Sequence, residues 1–378
     1  MERNRNSFNF EEANRFIRNG FSDFYGQQHD YVNVQEYPIL ANYDDTVIFT
    51  GATITPFMPR LINGNYPNLF LTQPCLRTNN VGHAYDEEKV PEYMSYFTMC
   101  GTLSPPERRI ETINNAYSLL TDVYKILPKD IIVRSSTRDT DLTDGLKKKV
   151  LVEEDTKPDS YYDWKYGREE ICGRGITFAV RGGDRVDFRD IGNIVVIEKD
   201  GSVAGYEFGF GIETLLSRIY GLTRPIEAAR ISQTIPFELE INEKFTDLLV
   251  ASNVMFQNGI TPGTGKEKHI LKSYLKALSY WQRKLNISVD QVKKWSDIFS
   301  KNEFGETGGN GEKIKTFLDR YNQKIDEYKF YVDNQLHAWK IKKTGSIETL
   351  KVRLIEKAGY FQLTSVDTND IISYLLNK

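Results

Sequence analysis

The chain has 378 residues, 49 Lys/Arg against 52 Asp/Glu and a formal net charge of −3, a length that supports roughly two or three domains. No stretch approaches the roughly 20 apolar residues of a membrane span, and the opening Met1–Phe8 lacks the apolar core of a signal peptide. Cys75, Cys100 and Cys172 form no CxxC or Cys/His cluster, which argues against a zinc site or a disulfide framework, so a soluble cytoplasmic protein is expected. The charge is uneven: residues 251–378 hold 21 Lys/Arg against 14 Asp/Glu, a balance of +7, and residues 1–250 carry −10. A basic C-terminal region suits either a polyanion partner or a solvated lysine-rich helical surface.

In chain order, Phe10, Ala13, Phe16, Ile17 and Phe21 mark one stripe of a helix over 9–25. Residues 46–50 read as a strand. Residues 69–77 and 93–101 read as two further strands, forming an antiparallel hairpin around a polar, flexible loop longer than usual. Ser104-Pro-Pro-Glu107 predicts a helix start, with a hydroxyl cap, proline at the first position and glutamate at the third, and the helix runs to about residue 126. Strands follow at 131–134, 175–180, 191–198 and 203–208. Ile212, Leu215, Leu216 and Ile219 then form one helical face before Gly221. Residues 1–240 therefore predict an α+β fold, an antiparallel sheet flanked by helices. Residues 241–378 predict an all-helical domain with helices at 243–256, 266–285, 289–299, 311–340 and 346–357, and a flexible connection at 301–311.

Two features point to chemistry. In Tyr206-Glu-Phe-Gly-Phe-Gly211, Gly209 and Gly211 carry no Cβ. Either the strand–helix junction is simply tight, or a flat ligand or phosphate approaches the backbone at the helix N-terminus, where free N–H groups favour anions. Arg77 ends the first hairpin strand, opposite Met99 on the second. The fork of an arginine suits a phosphate, and a methionine suits a flat ring.

The order of these blocks resembles class II aminoacyl-tRNA synthetases, and more closely the catalytic and tRNA-recognition portion of the alanyl-tRNA synthetase family. The resemblance rests on Phe21–His29, Val47–Ala52, Cys75-Leu-Arg77, Tyr96–Gly101, the helix around Leu119 with Leu127-Pro-Lys-Asp130, Trp164-Lys-Tyr-Gly167, Cys172-Gly173, Asn193, Glu207–Glu213 and Asn258–Pro262. It covers nearly the whole chain, which ends where longer members continue into editing and C-terminal domains. It implies ATP and Mg2+, a small amino acid substrate (alanine first) and the tRNA acceptor stem as partner, with no membrane and a monomeric state. Arg77 would contact the ATP α-phosphate as the catalytic cation. Met99, Gly209, Gly211 and Arg218 would complete the ATP site. Trp164 and Asn193 would line the amino-acid pocket, and Glu207 stands where the family holds the substrate ammonium with an aspartate.

Two positions depart from the family pattern. Thr214 replaces an arginine that grips the γ-phosphate, and Val81 stands near the place of a lysine; Arg218, Arg168 and Arg174 are the candidate replacements. Phosphoryl chemistry depends on positioned cations, so activity turns on such a replacement. In the helical region Lys268, Lys272 and Lys276 share a face, with Ile270, Tyr274, Leu278 and Trp281 on another. Ammonium groups so arranged suit a phosphate backbone. Thr264 and Glu356 match the family's stem-reading positions. The alternatives are a paralogue that delivers the activated amino acid to a non-tRNA acceptor, and a non-catalytic tRNA-binding protein. The four histidines offer no HxxxH pair, and His83 reads as a surface residue.

Overall fold

The computed structural model describes residues 4–28, 30–65, 67–89, 93–154, 157–183, 185–235, 241–342 and 346–376. His29 and the domain boundary expected at 240/241 touch segments outside the described residues. Two compact units emerge: Met1–Thr78 with Pro91–Pro236, and Asn79–Val90 with Phe237–Lys378.

The first unit is built on nine strands: β1 (Val32–Asn33), β2 (Leu69–Leu76), β3 (Tyr96–Ser104), β4 (Ile131–Ser135), β5 (Leu151–Glu154), β6 (Asp163–Lys165), β7 (Ile171–Val180), β8 (Arg189–Lys199) and β9 (Ser202–Gly211). Their order is β1-β2-β3-β9-β8-β7-β4-β5, with β6 alongside β7. The pairs from β2 to β4 are antiparallel, as predicted; the edge pairs β1–β2 and β4–β5 are parallel. The hairpin aligns Gln73, and not Arg77 as expected, with Met99, and Cys75 with Phe97.

Alternation along the strands assigns each face. Phe70, Cys100, Ile194, Phe208 and Phe210 enter the main core. There they meet Ile17, Phe21 and Tyr25 of α1 (Phe10–Gly26) and Leu215 and Leu216 of a later helix. The opposite residues, Leu71, Leu103 and Val195, meet Ile54, Phe57 and Leu61 of α2 (Ile54–Ile62). This second layer is the smaller of the two cores, since α2 has only nine residues.

Two predicted elements differ. Residues 46–50 form no strand; the segment is held by a single bridge, Leu40 to Phe49, and by the Leu76 amide donating to the Thr50 carbonyl. Ser104 does not cap a helix, because β3 continues through it and its hydroxyl pairs with the Tyr31 hydroxyl at 2.8 Å. The helix α3 begins only at Arg109 and ends at Ser118, continuing as a wider turn through Val123. A four-residue helix, α4 (Thr140–Thr143), follows β4. β9 runs into α5 (Ile212–Ile219), and Gly221 takes φ +67°, a stop that favours glycine.

The second unit contains α6 (Ile241–Gln257), α7 (Lys266–Lys284), α8 (Val289–Phe304), α9 (Asn310–Lys342), α10 (Ile347–Phe361) and α11 (Ser365–Leu376). Tyr274, Leu278 and Trp281 are buried, as the α7 periodicity predicts. The expected connection at 301–311 is shorter: α8 reaches Phe304, where Gly305 at φ +80° caps it. α11 has no expected counterpart, because its opening Ser-Val-Asp-Thr-Asn-Asp has weak helix formers.

Residues 79–89, expected to be a flexible hairpin loop, belong instead to the helical unit. The Trp281 indole N–H donates to the Ala84 carbonyl at 2.6 Å, Asn80 donates to Asp247 at 3.1 Å, Lys244 to the His83 carbonyl at 3.1 Å, and Lys284 pairs with Glu87. Trp281→Phe removes the indole donor and leaves a buried carbonyl unpaired. Such a loss costs on the order of 1–3 kcal/mol. Amide hydrogen exchange of peptides covering 79–89 is therefore expected to speed up about tenfold or more relative to the rest of the helical unit, and unchanged protection would refute this anchoring.

Candidate functional site

On the α2 side of the sheet, beyond the area that α2 itself covers, the strands present unusually little side chain. Register aligns Gly101 with Gly209, Met99 with Gly211, Asn193 with Gly209 and Val195 with Gly175. A floor of glycines leaves the backbone open to a ligand. At two positions the freed space is used by the protein itself. A Cβ on Gly101 would lie 2.1 Å from the Thr53 hydroxyl, and one on Gly209 would lie 2.4 Å from the Met99 methyl group. The opening at Gly209 therefore admits Met99 directly, and Met99 in turn lines the cavity.

Above this floor lies a cavity of about 720 Å³ lined by Arg77, Trp164, Thr177, Asn193, Thr214 and Arg218, among others. It adjoins a smaller one of about 130 Å³ bounded by Arg77, Phe97, Met99, Gly209, Gly211 and Thr214. Eight of the predicted residues thus share one continuous depression: Arg77, Met99, Trp164, Asn193, Gly209, Gly211 and Arg218, with the departing Thr214. Its size falls within the range of small-molecule sites.

Arg77 is half-buried at the end of β2. Its Nε donates to the Gly51 carbonyl at 2.6 Å, and its guanidinium lies 5.0 Å from the centre of the Phe97 ring. These contacts fix the fork at the junction of the two cavities. Arg218 is buried one turn after Thr214, with Nε donating to the Asp190 carbonyl and Nη1 to the Ser217 hydroxyl. The two other candidate replacements lie elsewhere. Arg174 is bound to Asp139 at 2.7 Å and to Asp141 at 2.9 Å, and its pKa is raised by these pairs. Arg168 is bound to Asp45 at 3.0 Å. Neither lines the cavity, and each already neutralises a local carboxylate.

Three cations went unnoticed in the sequence: Arg134, Lys157 and Arg189 also line the larger cavity. Arg134 is tied to Asp190 at 2.5 Å and to Glu153 at 3.1 Å. The Lys157 ammonium lies 3.9 Å from the centre of the Tyr161 ring. Arg189 donates to the Leu222 carbonyl at 3.3 Å. With Arg77 and Arg218 they make five cations against the carboxylates of Asp163 and Asp190, an arrangement suited to a polyphosphate. α5 opens toward this region with Gly211 as its cap and without any side-chain cap bond, so its first N–H groups add to the positive field.

Trp164 packs on the apolar layer beside Tyr166, ring centres 5.7 Å apart, and the Asn193 amide donates to the Thr177 hydroxyl at 3.1 Å. Glu207 does not line either cavity. It is buried farther along β9 on the same face, opposite Val195 and Leu103, and accepts a 2.7 Å bond from the Thr53 hydroxyl just before α2. Burial pushes its pKa up to about 7, against the opposing pull of Thr53 and of the Arg77 charge. Among the described residues no cluster of three or more His, Cys, Asp or Glu could hold a metal. Mg2+ held by one or two carboxylates and substrate phosphates requires no such cluster, and Asp163 and Asp190 lie on the wall.

In the helical unit, Lys272 and Lys276 line a separate cavity, whereas Lys268 packs along Gly263 and Gly265. Thr264 and Glu356 are exposed, Thr264 before α7 and Glu356 on α10. No described helix is long and apolar enough to cross a membrane.

Residues 16–189 match the family model described as tRNA synthetases class II (A). An alanine–tRNA ligase of Prochlorococcus marinus (strain MIT 9515) is 30% identical over 121 residues, covering 31% of this chain and 13% of the relative. One from Pyrobaculum calidifontis is 26% identical over 135 residues, covering 33% of this chain and 15% of the relative. The matched stretch thus spans only a small part of these relatives. Among solved structures, an aspartyl-tRNA synthetase from Entamoeba histolytica overlaps at TM-score 0.38 and 11% identity, covering 58% of this chain and 57% of that one. Residues 16–189, a little under half of the chain, are thus similar to the class II (A) tRNA synthetases.

Proposed function

We propose that the chain activates a small amino acid, alanine first, with ATP to form an aminoacyl adenylate, and passes the acyl group to the acceptor stem of tRNA. The observation that carries this reading is the depression on the glycine floor, where Arg77 stands between the Met99 slot and a cation-rich cavity ending at Trp164 and Asn193. In the reaction the amino-acid carboxylate attacks the α-phosphorus, the bond to the β-phosphate oxygen breaks, and pyrophosphate leaves. The terminal adenosine hydroxyl then attacks the acyl carbon and AMP departs. Arg77 would stabilise charge at the α-phosphate, and Arg218 would supply the cation that Thr214 lacks. Met99 and Phe97 offer apolar surface to the base, and Trp164 and Asn193 bound the side-chain end. No protein nucleophile is needed; positioning and charge do the work. Lys268, Lys272, Lys276, Thr264 and Glu356 would meet the RNA.

Asp163 or Asp190 would hold Mg2+ brought with the phosphates of ATP, which would supply positive charge for the leaving pyrophosphate. Incubation with ATP, Mg2+ and labelled pyrophosphate is expected to give alanine-dependent exchange, at least tenfold above the amino-acid-free rate. Exchange with none of the twenty amino acids would reject activation. Exchange without charging of bulk tRNA would redirect the acyl group to another acceptor.

A further inference from the structure

The helical unit contains a cavity of about 590 Å³ that the synthetase reading does not explain. Its inner wall is apolar and aromatic: Phe256, Pro262, Phe317 and Tyr321. The Phe317 and Tyr321 rings lie one turn apart on α9 and stack with centres 5.9 Å apart, inclined by 21°. Around them stand five cations, Lys272 and Lys276 from α7 and Lys313, Arg320 and Lys324 from α9, with Glu312 as the sole lining carboxylate.

These cations are not neutralised by ion pairs. Among the described residues, no carboxylate lies within salt-bridge distance of any of the five. Their bonds go to neutral groups: Lys276 to the Gln362 carbonyl at 2.5 Å, Lys324 to the Gln362 side-chain oxygen at 3.2 Å, and Lys313 to the Gly308 carbonyl at 3.0 Å. Gln362 at the end of α10, in the left-handed region at φ +59°, thereby draws Lys276 and Lys324 to one point. The Lys276 ammonium also lies 5.4 Å from the centre of the Tyr321 ring. Burial first, and then the nearby Lys272 and Lys324 charges, lower the pKa of Lys276 against the opposing pull of Asp367. Converging like charges over an aromatic wall are costly until an anion with a flat ring arrives.

We propose that this cavity binds one nucleoside monophosphate unit, its base against Phe317 and Tyr321 and its phosphate among Lys272, Lys276, Arg320 and Lys324. The unit is either a free nucleotide or an unpaired residue of an RNA strand. The site shares Lys272 and Lys276 with the RNA-binding reading above, but all of its lining residues lie in the helical unit, and it does not depend on amino-acid activation.

The test is calorimetric titration of the full chain carrying Arg77→Ala, which removes the phosphate contact proposed for the first unit. The probes are adenosine 5′-monophosphate, inorganic phosphate and a six-residue oligoadenylate. Adenosine monophosphate or the oligoadenylate is expected to bind, and K276Q with K324Q to weaken binding at least tenfold at an unchanged thermal midpoint. Phe317→Ala is expected to weaken both of those probes while leaving inorganic phosphate unaffected, which separates ring stacking from charge. Tighter binding of the oligoadenylate assigns the unit to an RNA strand, and tighter binding of the monophosphate assigns it to a free nucleotide. Absence of binding by both, or affinities indifferent to these substitutions, overturns the proposal.

Discussion

Arg77→Ala is expected to lower alanine-dependent ATP–pyrophosphate exchange by about 10²–10³-fold, the usual effect of removing one positioned donor from a developing anion. The Gly51 carbonyl holds Nε, and Phe97 lies 5.0 Å from the guanidinium, so the side chain is fixed before any phosphate arrives. Lysine at this position would keep the charge but lose the fork and the Gly51 bond, so Arg77→Lys is expected to restore little activity. Single-turnover adenylate formation should fall more than ATP binding does. Equal losses in both, or a large fall in thermal midpoint, would assign Arg77 a structural role instead.

Glu207→Gln is expected to stabilise the protein at alkaline pH. Native Glu207 keeps its proton up to about 7, whereas the ordinary value is 4.5. Between those values the native state binds more protons than the unfolded chain, so stability falls as pH rises. The penalty is absent below about 4.5 and complete above about 7, where it amounts to on the order of 3 kcal/mol for this fully buried group. Glutamine keeps an oxygen for the Thr53 hydroxyl but carries no charge. Urea unfolding at pH 5 and pH 8 should therefore show a smaller difference in the variant than in the wild type. If Glu207 meets the substrate ammonium, exchange by the variant should drop, and in the wild type the KM for alanine should fall as pH rises from 6 to 8. A pH-independent KM would detach Glu207 from the amino acid.

Much of the first unit was legible because its signals are local. The alternation before Gly209 and the helical spacing after Gly211 define β9 and α5 to within three residues. What was not legible depends on pairing across the sheet. Arg134 follows an apolar triplet on β4 and reads as a strand end; only its place beside β7 brings it to the cavity. Arg168, Arg174 and Arg218 look equivalent in sequence. Their difference lies in Asp45, Asp139 and Asp141, distant carboxylates that claim the first two. Ser104 carried every local mark of a helix cap, yet the ladder to β9 and the Tyr31 hydroxyl outweighed them. In the helical unit, the cations of α7 and α9 were visible separately, but their convergence over Phe317 and Tyr321 required the packing of both helices.

The anchoring of Ala84 by Trp281, 197 positions later, also bears on the order in which a ribosome delivers the chain. At about 5–20 residues per second, some 10–40 s separate the emergence of the two partners. During that interval the segment between β2 and β3 must wait undocked, exposed to proteases and chaperones. A fragment cut at the expected boundary near 240 would remain in that condition permanently. Nascent-chain proteolysis should find residues 79–89 cleavable until α7 has left the exit tunnel.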